Sequence, residues 1–422
     1  STKEISTKGG YLFSWMMDAL MLGIGVGFDT LGAGTVTITE PKYTNDVHII
    51  DDSREGWVNS VHILLNGFLL GGKVPHFDYG AIRPAGALIK GFGGTSSGAG
   101  PLKELHDSLR ELYTPIIGEL IDSVTIVDTE NLIGRCVVAG NVRRSAALAM
   151  GNHEDRQYLE MKNDQEKLYH HWGSNNSLHA IVGMDYTWHA EQSMKNGEPG
   201  YIWLDNARTR GRFKDAPRDD DQHVAGFNPC VEQQLEDAEL CCLVETFPAK
   251  HDSFEDYMKT LKIAYLYGKT ITLSNTHWPE TNAKMLKNRR IGLSQSGVVQ
   301  AFSKFGRREV YNWCDMAYEA VKELDEEFSN WLCIPKSVRM TSIKPSGTVS
   351  LLNGSTPGIH FPEDEYYIRR IRFSQDSDLL PTLAEAGYPI EDDAYSPNTK
   401  VVSFPVKESH YYKGKKDVTM WE

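Results

Sequence analysis

The residue types that can do chemistry concentrate in Asn228-Pro229-Cys230-Val231-Glu232 and, just after it, Glu239-Leu240-Cys241-Cys242. An amide orients a ligand, a carboxylate moves protons, and a thiol can be nucleophile, redox partner or radical carrier. Pro229 bars a helix interior and pushes Asn228 toward an extended conformation. Side chains alternate faces along an extended segment, so the spacing predicts Asn228, Cys230 and Glu232 on one wall, with Val231 pointing away. A second thiol, Cys241, follows eleven residues after Cys230.

Three further stretches could bind anions. The Gly/Ser run from Gly91 to Gly100 feeds a helix opened by Pro101, and free N–H groups at such a start suit an anion; flexibility alone would also explain it. Gly140-Asn141-Val142-Arg143-Arg144-Ser145 sets two arginines on a turn that could clamp a phosphate or face solvent. Met340 to Ser350 reads as a strand, a Pro345-Ser346-Gly347 turn and a new helix, with Lys344 adding charge; the alternative is a capped helix start. Its spacing is not that of a Walker A loop.

The elements that must position these groups are partly legible. From Tyr11 the apolar spacing predicts a helix, halted by Gly23-Ile24-Gly25-Val26-Gly27, where backbone can come close to other backbone or to a ligand. Asp52-Ser53-Arg54-Glu55 looks like a capping box, and behind it Trp57, Val58, Val61, Leu64, Leu65 and Phe68 form one helical face. Strands are expected at Val74 to Tyr79, Ala146 to Met150 and Thr270 to Leu273. Helices are expected through Leu102 to Leu112, over Phe254 to Tyr267, and over Val310 to Leu332 with Val310, Trp313, Ala317, Val321 and Leu324 inward. Cys136 and Cys314 sit among apolar neighbours and read as inert core thiols.

Composition excludes several classes. The chain has 422 residues, 40% apolar and 24% charged, as in soluble globular proteins. A net charge of −13 argues against polymeric nucleic acid and anionic membrane as partners. Six cysteines without CxxC spacing make neither a disulfide scaffold nor a structural zinc site, so a reduced, cytoplasmic protein without a bound metal is expected. Tyr11 to Phe28 contains Asp18 and three glycines before Phe28, and is read as neither membrane span nor signal peptide. Asp221-Gln222-His223-Val224-Ala225-Gly226 matches a D-x-H-x-x-G cobalamin pattern, read as coincidence because the glycine-rich domain that should follow is missing.

In this order and together, the motifs resemble the catalytic subunit of ribonucleotide reductases, specifically the adenosylcobalamin-dependent (class II), monomeric, ribonucleoside-triphosphate type. The resemblance runs from about Asp52 to Val406. It rests on Arg83-Pro84-Ala85-Gly86-Ala87 through Ser97-Gly98-Ala99-Gly100-Pro101-Leu102, on Gly140 to Ala146, on Asn228 to Cys241 and on Lys344 to Ser350. It implies a ten-stranded α/β barrel with the catalytic cysteine loop inside, incomplete at both ends: residues 1–51 as the tail of an upstream insertion or barrel entry, 52–422 as partial barrel. By motif, Cys230 would carry the thiyl radical, Glu232 would take the 3′-hydroxyl proton, Asn228 would hold the ribose hydroxyls, and Cys241 would be half of the reducing dithiol. Pro345, Ser346, Gly347, Thr348 and Val349 would bind substrate phosphates; Ser97, Gly98, Asn141, Arg143 and Arg144 would sense the dNTP effector. The implied cofactor is 5′-deoxyadenosylcobalamin, and the implied partners are a ribonucleotide, dNTP effectors and thioredoxin or a similar dithiol.

The chain departs from the pattern where electrons are supplied. The family's second redox cysteine lies on an early barrel strand upstream of Ser1, and the C-terminal relay pair is absent, so a piece of a longer reductase is expected, with extein junctions as one origin for its ends. Two other readings stay open: a class I catalytic subunit with a separate radical-generating protein, and a non-catalytic nucleotide-binding barrel.

Overall fold

The computed structural model describes residues 1–89, 95–139, 145–163, 171–375, 377–394, 399–419 and 421–422. The chain divides into two compact units, Ser1–Ala238 and Glu239–Glu422.

The first unit is built on a four-stranded parallel sheet in the order β1-β4-β5-β6, with β1 at Val26–Asp29, β4 at Ala147–Asn152, β5 at Asn175–His179 and β6 at Gly200–Ile202. Ala147 to Gly151 are buried without alternation, as a parallel strand covered on both faces requires. Helix Tyr11–Met21 packs on helices Arg54–Leu70 and Ser123–Val138. The face predicted from spacing is the buried one: Val61, Leu64, Leu65 and Phe68 are fully enclosed, and Phe68 stacks on Tyr113 with ring centroids 5.3 Å apart. Ser53 caps helix Arg54–Leu70 by accepting the Gly56 N–H at 3.0 Å. That helix links β2 (Lys42–Ile49) to β3 (Lys73–Asp78), which pair in parallel across it.

The second unit holds a parallel pair, β9 (Cys242–Thr246) with β10 (Ile291–Gln295), and an antiparallel sheet of β11 (Tyr366–Ser374), β12 (Ile390–Asp392) and β13 (Thr399–Lys407) in the order β11-β13-β12. Helix Phe254–Ile271 crosses between β9 and β10 and buries Tyr257, Leu261, Ala264 and Tyr265 against Trp313, Ala317 and Val321 of helix Arg307–Leu332. Inside this contact Lys269 donates to Asp325 at 2.8 Å, and Tyr265 and Ser337 donate to the same carboxylate.

Two expected elements differ. Thr270 and Ile271 finish a helix rather than begin a strand, because the inward face of Phe254–Ile271 continues through Gly268 and Lys269 and outweighs the β-branched residues' preference. Around Thr341 there is one isolated bridge to Leu293 rather than a strand, and the helix after the Pro-Ser-Gly turn is only Val349–Leu352. The chain is mixed α/β. Among the described residues its strands form sheets of four, three, two, two and two, which do not of themselves trace a ten-stranded barrel. No helix there is long and apolar enough to cross a membrane.

Candidate active site

Cys230 sits at the tip of a hairpin, not on an extended wall. The strands β7 (Gly226–Phe227) and β8 (Gln234–Leu235) pair antiparallel. Between them the Asn228 carbonyl accepts the Val231 N–H at 2.9 Å, closing a four-residue turn with Pro229 second. Proline's fixed φ suits that position, and Asn at the first position is equally typical. The expected alternation of Asn228, Cys230 and Glu232 therefore gives way to a turn, in which Cys230 is exposed and Asn228 and Glu232 are half-buried. Val231 closes the turn at φ 64°, a left-handed value that costs a β-branched residue about 1–3 kcal/mol and occurs most often at functional sites. Asn228 Oδ1 accepts the Gln233 N–H at 3.0 Å, which orients the amide and keeps a second Oδ1 lone pair and the Nδ2 donors available to a ligand.

The glycine run after the first long helix is what lets the hairpin seat. A Cβ on Gly27 would lie 1.8 Å from the Phe227 carbonyl oxygen, and one on Gly25 would lie 3.0 Å from Pro229 Cγ. The close approach expected of these glycines is thus to the cysteine hairpin itself. On the same sheet Met150 and Ile202 pack against Phe227.

In the second unit Cys241 is half-buried and immediately precedes β9. Its approach is fixed by Glu239, whose Oε1 accepts from Arg290 Nε and Asn288 Nδ2, both at 3.0 Å, in a fully buried cluster. The neighbouring Cys242 is buried, and burial pushes its thiol up to about 11. Cys136, in the first unit, is raised to about 12 for the same reason. Burial thus keeps both thiols neutral and makes them poor nucleophiles.

The Lys344–Ser350 turn hangs on β10. Leu293 exchanges backbone hydrogen bonds with Met340 and Ser342 at 2.9 Å, and Ser294 Oγ accepts the Lys344 N–H at 2.8 Å. Ser346 and Ser350 are buried and bonded to each other, whereas Gly347, Thr348 and Val349 are exposed. Ser294 pairs with Glu245 of β9, so the turn and Cys241 sit toward opposite ends of the strand pair, about 13 Å apart along the strand direction at ~3.3 Å per residue. The one-turn helix that follows adds little dipole, so an anion at this turn would depend on the exposed backbone amides.

Of the expected effector residues, Asn141, Arg143 and Arg144 lie outside the described residues. Ser97 lines a cleft with Ser96, Asp52, Arg54 and Arg83. The next residue, Gly98, has φ +72°, and a Cβ there would lie 3.0 Å from the Ala85 nitrogen. The sequence showed Asp52 and Arg83 only as parts of motifs. Their ion pair at 2.7 Å, between residues 31 positions apart, had no sequence signal.

Residues 29–112 match the family model for the insertion domain of B12-dependent ribonucleotide reductase. The whole chain aligns at 47% identity with a probable adenosylcobalamin-dependent ribonucleoside-triphosphate reductase of Dictyostelium discoideum and at 46% with the corresponding enzyme of Euglena gracilis. A solved B12-dependent (class II) ribonucleotide reductase superposes with TM-score 0.83 at 31% identity, covering 95% of this chain and 65% of that one. Along its length the chain is similar to adenosylcobalamin-dependent (class II) ribonucleotide reductases. It spans 58% of the length of the two eukaryotic relatives. Against the class II enzymes, the Cys230 hairpin, Cys241 and the Lys344–Ser350 turn all fall within the aligned region, since the alignment to both relatives covers the full chain.

Proposed function

We propose that the chain is part of an adenosylcobalamin-dependent ribonucleoside-triphosphate reductase, which converts ribonucleotides to 2′-deoxyribonucleotides by thiyl-radical chemistry. The observation that carries this is the turn that presents the Cys230 thiol between Asn228 and Glu232. Cys230 is exposed, as a thiol must be to exchange a hydrogen atom with a bound group; the buried Cys136 and Cys242 would not fit. When bound, adenosylcobalamin supplies the first radical. Cys230 then removes the ribose 3′-hydrogen, Glu232 accepts the 3′-hydroxyl proton, and Asn228 Nδ2 holds the ribose hydroxyls. The 2′-hydroxyl leaves as water while two thiols, one of them Cys241, are oxidised to a disulfide, so one C–O bond is exchanged for C–H with two electrons and two protons from the dithiol.

Within the Pro345-Ser346-Gly347-Thr348-Val349 turn, the exposed amides of Gly347, Thr348 and Val349 hold the substrate phosphates in this reading. The cleft at Ser97 and Gly98, with Asn141, Arg143 and Arg144, senses the dNTP effector. The barrel architecture, a change from upstream segment to barrel near residue 52, a thioredoxin-like reductant, a monomeric state and a cytoplasmic site belong to the same proposal. The names of the relatives favour it over a class I subunit.

The test is the full-length protein with adenosylcobalamin and a dithiol. Deoxynucleotide formation that requires the cofactor and vanishes in Cys230→Ala is the expected result. Formation without cobalamin would point to class I chemistry instead. Nucleotide binding with neither turnover nor Cys230-dependent exchange of tritium from the cofactor 5′-position would leave only a binding protein.

A further inference from the structure

We propose that Asp52 is a built-in competitor for the anionic ligand of the Ser97 cleft, occupying Arg83 until a phosphate oxygen takes its place. The inference rests on the effector reading of that cleft and adds how its affinity is set. Arg83 Nε donates to Asp52 Oδ2 at 2.7 Å, and its Nη1 donates to the Leu88 carbonyl at 3.0 Å. One edge of the guanidinium is thus spent on structure and the other on an exchangeable carboxylate. Carboxylate and phosphate oxygens are alternative acceptors for the same planar fork, and phosphate brings the larger charge.

The two arginines of the cleft differ in how firmly they are held. Arg54 pairs with Asp18, and both side chains are largely buried, at 17% and 12% exposure. The Asp52–Arg83 pair is about one-third exposed on each side, 33% and 32%, so solvent can replace either partner as they separate. Arg54 therefore reads as a fixed positive group and Arg83 as the one that changes partner. Releasing Asp52 leaves the adjoining helix start intact, because the cap is made by Ser53 Oγ to the Gly56 N–H at 3.0 Å. With Arg83 taken by phosphate, the Asp52 carboxylate is repelled by the ligand and turns outward.

The ligand class is a nucleoside triphosphate, and the probes are the four dNTPs, titrated calorimetrically into the full-length protein at low and high salt. Asp52→Asn is expected to bind its preferred dNTP about fivefold more tightly, the fold-change equivalent to roughly 1 kcal/mol for a partly exposed pair. Asp52→Glu should restore the wild-type value. Arg83→Gln should weaken binding at least tenfold, and adding Asp52→Asn to it should bring no further gain. If Arg83→Gln weakens binding but Asp52→Asn leaves it unchanged or weaker, the competitor is overturned and the effector cleft stands. If no dNTP binds the wild type, or Arg83→Gln binds as well as wild type, the effector reading falls and the competitor with it.

Discussion

The carbonyl oxygen of Phe227 occupies the space a Cβ on Gly27 would need, 1.8 Å from its ideal position. Gly27 lies in the middle of β1, and Phe227 is the last strand residue before the cysteine turn. The seat of Cys230 is therefore decided by a residue 203 positions earlier that carries no side chain at all.

Gly27→Ala should displace the hairpin, because the clash is with backbone, which cannot rotate away. A loss of about 3 kcal/mol is expected, at the upper end for overpacking. Gly25→Ala, whose Cβ would meet Pro229 Cγ at 3.0 Å, should cost about 1 kcal/mol. Urea unfolding measures both, and a changed rate of Cys230 alkylation in folded protein would show that the turn has moved. Equal, small effects of the two substitutions would contradict this seating.

How far this was readable from sequence varies with the range of the interaction. The helix face of Val61, Leu64, Leu65 and Phe68 repeats within two turns and was legible. Glycines 23 to 27 could be read as a place of close approach, but their partner could not, since Phe227 and Pro229 reach them only through the tertiary fold. The cysteine turn itself was misread locally. Asn-Pro starts turns, and a bond from Asn228 to Val231 was as available as the extended form that Pro229 also permits. The pairing of β1 with β4, some 120 residues apart, and the Asp52–Arg83 contact had no local pattern to betray them.

Thiol reactivity should rank Cys230 ahead of Cys242 and Cys136. Cys230 is exposed, whereas burial raises the other two to about 11 and about 12. A raised folded value means that the neutral thiol is favoured in the fold. Stability from these groups is complete below their ordinary value near 9 and is lost as pH rises through 9 toward 11–12. Timed iodoacetamide labelling at pH 8, read by peptide mass spectrometry, should find Cys230 modified well before Cys136. Cys136 reacting first would overturn the assignment.

His106 should dominate part of the acid limb. Ser60 Oγ donates to the Trp57 carbonyl at 2.8 Å, so it must accept from His106 Nε2 at 3.1 Å, and Tyr79 then donates to Nδ1 at 2.6 Å. The ring is neutral by construction, and burial lowers its pKa to about 3. The unfolded chain takes up the proton first as pH falls, so stability from this group is present above about 6.5 and declines steadily toward 3. His106→Gln should be about 1–3 kcal/mol less stable at pH 7, through an imperfectly replaced buried hydrogen bond. Its stability should nevertheless fall less steeply between pH 6.5 and 4, as denaturation midpoints across that range would show.

Cys241 depends on a carboxylate two residues before it. Glu239 and Arg290 have side chains at 0% exposure, and Asn288 completes the cluster. Replacing Glu239 with Gln would remove the carboxylate facing the buried Arg290 charge, a change of about 3–5 kcal/mol. Replacing both, as Glu239→Leu with Arg290→Met, removes two desolvated charges together and should cost clearly less than the single change. If the cluster's purpose is to aim Cys241, the double variant should recover stability while Cys241 is alkylated at a rate different from wild type. Wild-type Cys241 reactivity in a stable double variant would reduce the pair to a packing element of β9 and β10.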